Sequence, residues 1–163
     1  MFSFETHKNA SFLVGGYRPQ KGQIQWVFAN HLYNVRSNVD LFSHRNGGIN
    51  ECPLPRFVLL YDSGGFRDFH LFECLGVVQK TQQEMEKLQY PSPQGSYVVY
   101  RLGYEFLFPD VDVKKMISSR NAGQTKSKYD YSPMFILGQD LQKYIKPQKN
   151  PKDALHLGRP IRV

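Results

Sequence analysis

The stretch Trp26-Val27-Phe28-Ala29-Asn30-His31-Leu32-Tyr33-Asn34-Val35-Arg36 gathers the chain's single tryptophan, a tyrosine, a histidine, two asparagines and an arginine. Flat rings beside amide edges are what a pocket for a planar base needs. Aromatic faces stack on the base, and asparagine hydrogen-bonds its edge. The candidate base pocket is therefore Trp26, Asn30, His31, Tyr33 and Asn34. The competing reading puts Trp26 in the core and makes Asn30 and Asn34 turn formers.

A second group follows in the last third: Lys114, Lys115, Arg120, Lys126 and Lys128, with Tyr129 and Tyr131 just beyond. Cations interleaved with Ser, Thr and Gly match contact with a phosphate backbone, where side chains and backbone N–H groups share the contacts. The charge balance points the same way. Residues 1–110 carry 10 Lys+Arg and 10 Asp+Glu; residues 111–163 carry 11 and 4, which is the whole formal charge of +7. A neutral body with one cationic segment is built to meet an anion on one side, and nucleic acid is the commonest such partner. The alternative is a basic tail that serves solubility alone.

Asp110-Val111-Asp112-Val113-Lys114 holds Asp-x-Lys, a fragment of metal-dependent nuclease sites. Such a site needs a further carboxylate to hold Mg²⁺, and Asp62 or Glu73 would have to supply it. Asp110 and Asp112 are equally accounted for by the dipole at a helix N-terminus. The five histidines (His7, His31, His44, His70, His156) show no i, i+3 or i+4 pair, so a histidine-rich zinc site has no support. His70 reads as a half-buried structural residue. Neither Gly-x-Ser-x-Gly nor a phosphate-cradling glycine loop is present. No catalytic residue is assigned, and no metal or cofactor is expected.

These groups need elements to position them. A chain of 163 residues is one domain by the usual ~100–200-residue scale. We expect a globular unit over 1–146 and a basic, loosely ordered tail over 147–163. Alternation predicts strands at Gln23–Ala29 and Arg67–Val78, and a continuous apolar run predicts one at Arg56–Tyr61. The last two form a hairpin closed at Asp62-Ser63-Gly64-Gly65, with a bulge near Gly76. Ser96–Leu102 and Glu105–Phe108 read as two strands separated by Gly103. Thr81-x-x-Glu84 is a capping box that opens a short helix. Two more helices are read at Val111–Ser119 and Gln139–Ile145, with a loop over Asn121–Lys128. The class is α+β: a small, strongly curved or closed β-barrel with short helices. Cys52 and Cys74 make no disulfide framework, so both read as reduced thiols and the setting as cytoplasmic. No apolar run reaches the ~18 residues of a membrane span, and the N-terminus lacks the pattern of a signal peptide.

The order of these features resembles the EVE branch of the PUA-like superfamily, relatives of the YTH and ASCH domains. Trp26-Val27-Phe28 with Tyr33-Asn34-Val35 is similar to its opening segment. Phe57–Tyr61 and Phe69–Val78 look like its central hairpin. Ser118-Ser119-Arg120, Ser132-Pro133-Met134-Phe135-Ile136-Leu137 and Gln139–Ile145 look like its C-terminal segment. Leu54-Pro55-Arg56 stands where the family has Gly-Asp, and Asn30-His31 where it has Glu-Pro. The resemblance covers about residues 23–146 and implies a PUA-like pseudobarrel that binds a modified base in DNA or RNA, beside a partner nuclease or modification enzyme. The expectation is a nucleic-acid-binding module that reads a flipped, modified base, rather than an enzyme or a membrane protein. The alternatives are the nuclease above and a protein-interaction subunit whose aromatics are all core.

Overall fold

The computed structural model describes residues 2–18, 22–36, 41–43, 47–49, 54–121, 133–147 and 160–161. Among these residues nine strands and four short α-helices follow one another: β1 Ser11–Tyr17, α1 Gln23–Asn30, β2 Leu32–Arg36, β3 Leu41–Ser43, β4 Gly47–Ile49, β5 Phe57–Asp62, β6 Arg67–Lys80, α2 Gln82–Lys87, β7 Tyr97–Phe106, α3 Val113–Asn121, β8 Met134–Leu137, α4 Gly138–Leu141 and β9 Pro160–Ile161. The strands form one mixed sheet in the order β2-β7-β6-β5-β1-β8-β3-β4, with β9 added beside β7. β1 runs parallel to β5, and β3 parallel to β8; the other ladders are antiparallel. The class is α+β, as the sequence predicts. The ladder follows an open path and does not close into a barrel.

The sheet separates two cores. Along β5 the alternation sends Val58 and Leu60 into one core and Phe57, Leu59 and Tyr61 into the other. All six β5 residues are buried, which is what a continuous apolar run means for a central strand. The first core is covered by Trp26 and Val27 of α1 and Met85 of α2. The second is covered by Val113, Met116 and Ile117 of α3, with Leu141 and Tyr144 just after β8. The capping box forms as read: the Thr81 hydroxyl accepts from the Glu84 N–H, and the Glu84 carboxylate accepts from the Thr81 N–H. The β5–β6 hairpin and its turn also form, with Asp62 opposite Arg67 and irregular register on both sides of Cys74.

Two expectations are corrected, and one strand is unforeseen. Gln23–Ala29 is not a strand but helix α1. Ile24, Val27 and Phe28 also satisfy the i, i+3, i+4 spacing of a helix face, so both periods fit this short run. Gly22 in the left-handed region (φ 71°) precedes it, and left-handed His31 (φ 54°) ends it by donating its N–H to the Val27 carbonyl. Gly103 does not divide two strands: β7 runs unbroken. The Leu75 side chain covers Gly103 so closely that a Cβ there would lie 3.0 Å from it. The central strand β1 is the unforeseen one; Gly15-Gly16 interrupts its apolar run.

Those two glycines make room for a long-range contact. The Tyr33 hydroxyl, on β2, donates to the Gly16 carbonyl of β1 at 3.2 Å. A Cβ on Gly15 would sit 2.8 Å from Tyr33 Cζ and closer still to its hydroxyl. In the sheet order β2 and β1 are four ladders apart, about 19 Å in a flat sheet at ~4.8 Å per strand. One tyrosine cannot span that, so the sheet curls until its β2 end folds back over β1.

Candidate functional site

The structure places the five residues of the predicted base pocket as follows. Trp26 is buried; its Nε1 donates to the Leu88 carbonyl at 2.9 Å, and its ring meets Tyr90 edge-on. Tyr33 is buried under β1, and burial holds its phenol far above the ordinary tyrosine range. Asn30 donates its Nδ2 to the Trp26 carbonyl at 2.9 Å, tying off the end of α1. His31 is exposed and shapes the turn; its carbonyl accepts from the Leu102 N–H. Asn34 is half-buried opposite Val99. Both rings face the protein interior, and their polar atoms are bound to backbone carbonyls. Tyr and Trp find such partners when they are core residues.

Among the predicted phosphate contacts, Lys114 and Lys115 are exposed on α3. Neither makes an ion pair with a described residue. Of the two acidic residues close to them in the chain, Asp110 and Asp112, the second points its carboxylate back to cap the helix, accepting from the Lys115 N–H at 3.1 Å. Lys114 Nζ lies 5.3 Å from the centre of the Phe66 ring, a cation–π distance. Arg120 belongs to α3, but its side chain lies outside the described residues, as do Lys126 and Lys128. Asp110, Asp112 and Lys114 gather no metal cage: among the described residues no three His, Cys, Asp or Glu side chains converge. Asp62 is buried and bonded to the Gly64 N–H at 2.8 Å, within its own turn. Cys74 is a free, half-buried thiol; burial pushes its pKa up.

The tip of the β5–β6 hairpin carries a cluster that the sequence reading did not assemble. Glu105, only 4% exposed, presents Oε1 at 2.6 Å from Nδ1 of His70. The His70 side chain is 27% exposed. Phe28 of α1 meets the imidazole edge-on at 5.0 Å, and the rings of Tyr17 and Phe72 stand 6.2 and 6.5 Å away. Tyr17 donates its hydroxyl to the Asp68 carbonyl at 3.2 Å. Its phenol is pushed up to about 12, chiefly by burial and then by the carboxylates of Asp68 and Asp62. Phe66 (φ 53°) and Asp68 (φ 57°) both hold left-handed backbone at this tip, uncommon for a bulky ring and better tolerated by aspartate. His70 and Glu105 lie 35 residues apart, and only the β6–β7 register brings them together. The alternation of β6, which puts His70 and Phe72 on one face, was the available signal.

A buried carboxylate holding Nδ1 fixes the orientation of an imidazole. With the carboxylate ionised and the imidazole neutral, the proton between them is on Nδ1 and Nε2 carries the lone pair. No described residue hydrogen-bonds Nε2. In that form the arrangement offers one oriented acceptor beside the ring of Phe28, which is half-buried. No helix among the described residues is long and apolar enough to cross a membrane. Comparison with known protein families, characterised proteins and solved structures finds no match for this chain.

Proposed function

We propose that this chain is a nucleic-acid-binding module that holds the backbone of DNA or RNA with its cationic C-terminal third and reads a base, modified bases included. It acts in the cytoplasm beside a partner nuclease or modification enzyme. The observation that carries this reading is the segregation of charge. The entire +7 lies in residues 111–163, and the two of those cations at the head of α3, Lys114 and Lys115, stand exposed while Asp112 is occupied as a cap. Free cations on a helix beside an aromatic turn suit phosphate contact. The fold reading that accompanies it is a PUA-like pseudobarrel. The reach of Tyr33 from β2 across to β1 supports such a curled sheet, packed by side chains where the ladder is open.

The test is binding of labelled single-stranded RNA and DNA by fluorescence anisotropy across a salt series. Each phosphate contact contributes roughly −0.7 to −0.9 to the log–log slope. Lys114→Ala with Lys115→Ala flattens that slope by about 1.5 and weakens all sequences alike. Binding that is absent at low salt, or independent of salt, refutes the reading. Magnesium-dependent cleavage of the strand, lost in Asp112→Ala, replaces it with a nuclease.

A further inference from the structure

We infer that the base contact of this module is made by His70, oriented by Glu105, at the tip of the β5–β6 hairpin. This rests on the nucleic-acid reading above. The ligand chemistry follows from the atoms. With Glu105 holding Nδ1 at 2.6 Å, a neutral His70 offers Nε2 as an acceptor, and the edge that matches this form is an N–H donor. The ring of Phe28, edge-on to the imidazole, gives that donor a flat apolar neighbour. A planar heterocycle with an exocyclic amino group, such as adenine, cytosine or guanine, supplies both features. Uracil and thymine supply only the ring N–H.

Position favours a base over an isolated small heterocycle. Phe66, under Lys114, precedes His70 by four residues, which span at most ~14 Å of extended chain. The lysine and the imidazole mark opposite faces of the same hairpin tip. A strand crossing the turn can meet the cation on one face and the imidazole on the other. The backbone is held at this tip by Tyr17, which bonds the Asp68 carbonyl, and by the Asp62 carboxylate, which accepts from the Gly64 N–H. A rigid mount is what edge recognition requires. Glu105 is a positioning residue: it touches His70 and not the ligand.

The experiment compares four short single-stranded homo-oligomers, one per base, on the wild type and three variants. His70→Phe with Glu105→Leu removes the pair without leaving a buried charge unpaired. Glu105→Gln keeps the shape; the amide can donate to Nδ1 and move the imidazole proton to Nε2. Lys114→Ala with Lys115→Ala probes the backbone alone. We expect the wild type to prefer amino-bearing bases, and the His70/Glu105 double variant to lose about tenfold on the preferred oligomer, the scale of one ~1.4 kcal/mol contact. Its salt slope stays at the wild-type value. Glu105→Gln removes the advantage of amino-bearing bases over uracil, because an Nε2–H donates and every base presents an acceptor. The lysine variant weakens all four alike. In the unaltered protein, titration with the preferred free nucleoside moves the His70 Nε2 resonance and leaves those of His7 and His31 in place. Retained base ranking in the folded double variant, or an unmoved His70 resonance, overturns the inference while the nucleic-acid reading stands. Failure of every oligomer to bind the wild type at low salt overturns the nucleic-acid reading itself.

Discussion

Gly15→Ala tests whether the sheet curls as described. The new methyl carbon would lie 2.8 Å from Tyr33 Cζ and 3.0 Å from Cε2, where ordinary contact begins at 3.4 Å, with the hydroxyl closer still. Tyr33 is 6% exposed and lies in the first core among Leu13, Val35 and Val99, so it has little room to retreat. Overpacking of this kind costs ~1–3 kcal/mol, and a ring pushed off Gly16 also loses a hydrogen bond worth ~1 kcal/mol. A total near 3 kcal/mol lowers Tm by roughly 6–12 °C at the ~2–4 °C per kcal/mol of a chain this size. Tyr33→Phe alone costs only the hydrogen bond, about 1 kcal/mol. The two changes meet at one atom: without the hydroxyl the closest clash is gone. The double variant is therefore less destabilised than the sum by ~1 kcal/mol or more, a coupling that urea unfolding of the four proteins measures directly. Additivity within about 0.5 kcal/mol would mean that Tyr33 does not lie over Gly15, and the folding of β2 back onto β1 would fall with it.

Two further outcomes follow from particular contacts. Gly138→Ala places a methyl 3.1 Å from the His7 carbonyl carbon and nearer its oxygen, a backbone wall, while the Gly138 and Gln139 N–H groups bond Ala10 and Lys8. It should cost ~2–4 kcal/mol by overpacking and loosened hydrogen bonds, and raise exchange of those two amides; an unchanged urea midpoint would refute the contact. Tyr17 keeps its proton in the folded state up to about 12, against 10.0 ordinarily, so folding opposes its ionisation. That contribution is complete below the ordinary value and is lost as pH rises from about 10 toward 12, so unfolding free energy falls across that window and Tyr17→Phe flattens the fall.

Local chemistry with a single period was legible in the sequence. The capping box at Thr81 and Glu84, the buried run of β5 and the alternation of β6 each have one physical solution, and the structure adopts it. The failures share a cause: residues whose local meaning is set from far away. β1 goes unread because Gly15-Gly16 breaks its apolar run, and Tyr33 from β2 fills the space they leave. Gly103 signals a break until Leu75 covers it across the ladder. Gln23–Ala29 fits both periods, and the packing of Trp26 and Val27 into the first core decides for a helix. A glycine in an apolar run thus has two readings, a bend or a seat for a neighbour, and only tertiary contact chooses between them.

The same distinction governs the candidate site. Rings and amide edges in the stretch from Trp26 to Arg36 read as a base pocket, yet Trp26 and Tyr33 use their polar atoms on the Leu88 and Gly16 carbonyls and pack in the core. A side chain committed in this way has nothing left to offer a ligand. By that criterion function belongs where polar atoms remain uncommitted within a fixed frame. Lys115 meets it on α3, where the Asp112 carboxylate is turned into the helix as a cap, and Lys114 beside it rests on the Phe66 ring without an ion pair to a described residue. His70 meets it through Nε2, since Glu105 occupies only Nδ1. Neither could be ranked above its neighbours in the sequence, because commitment is a property of partners. The partner of His70 lies a full strand and a helix away, beyond the reach of any local spacing.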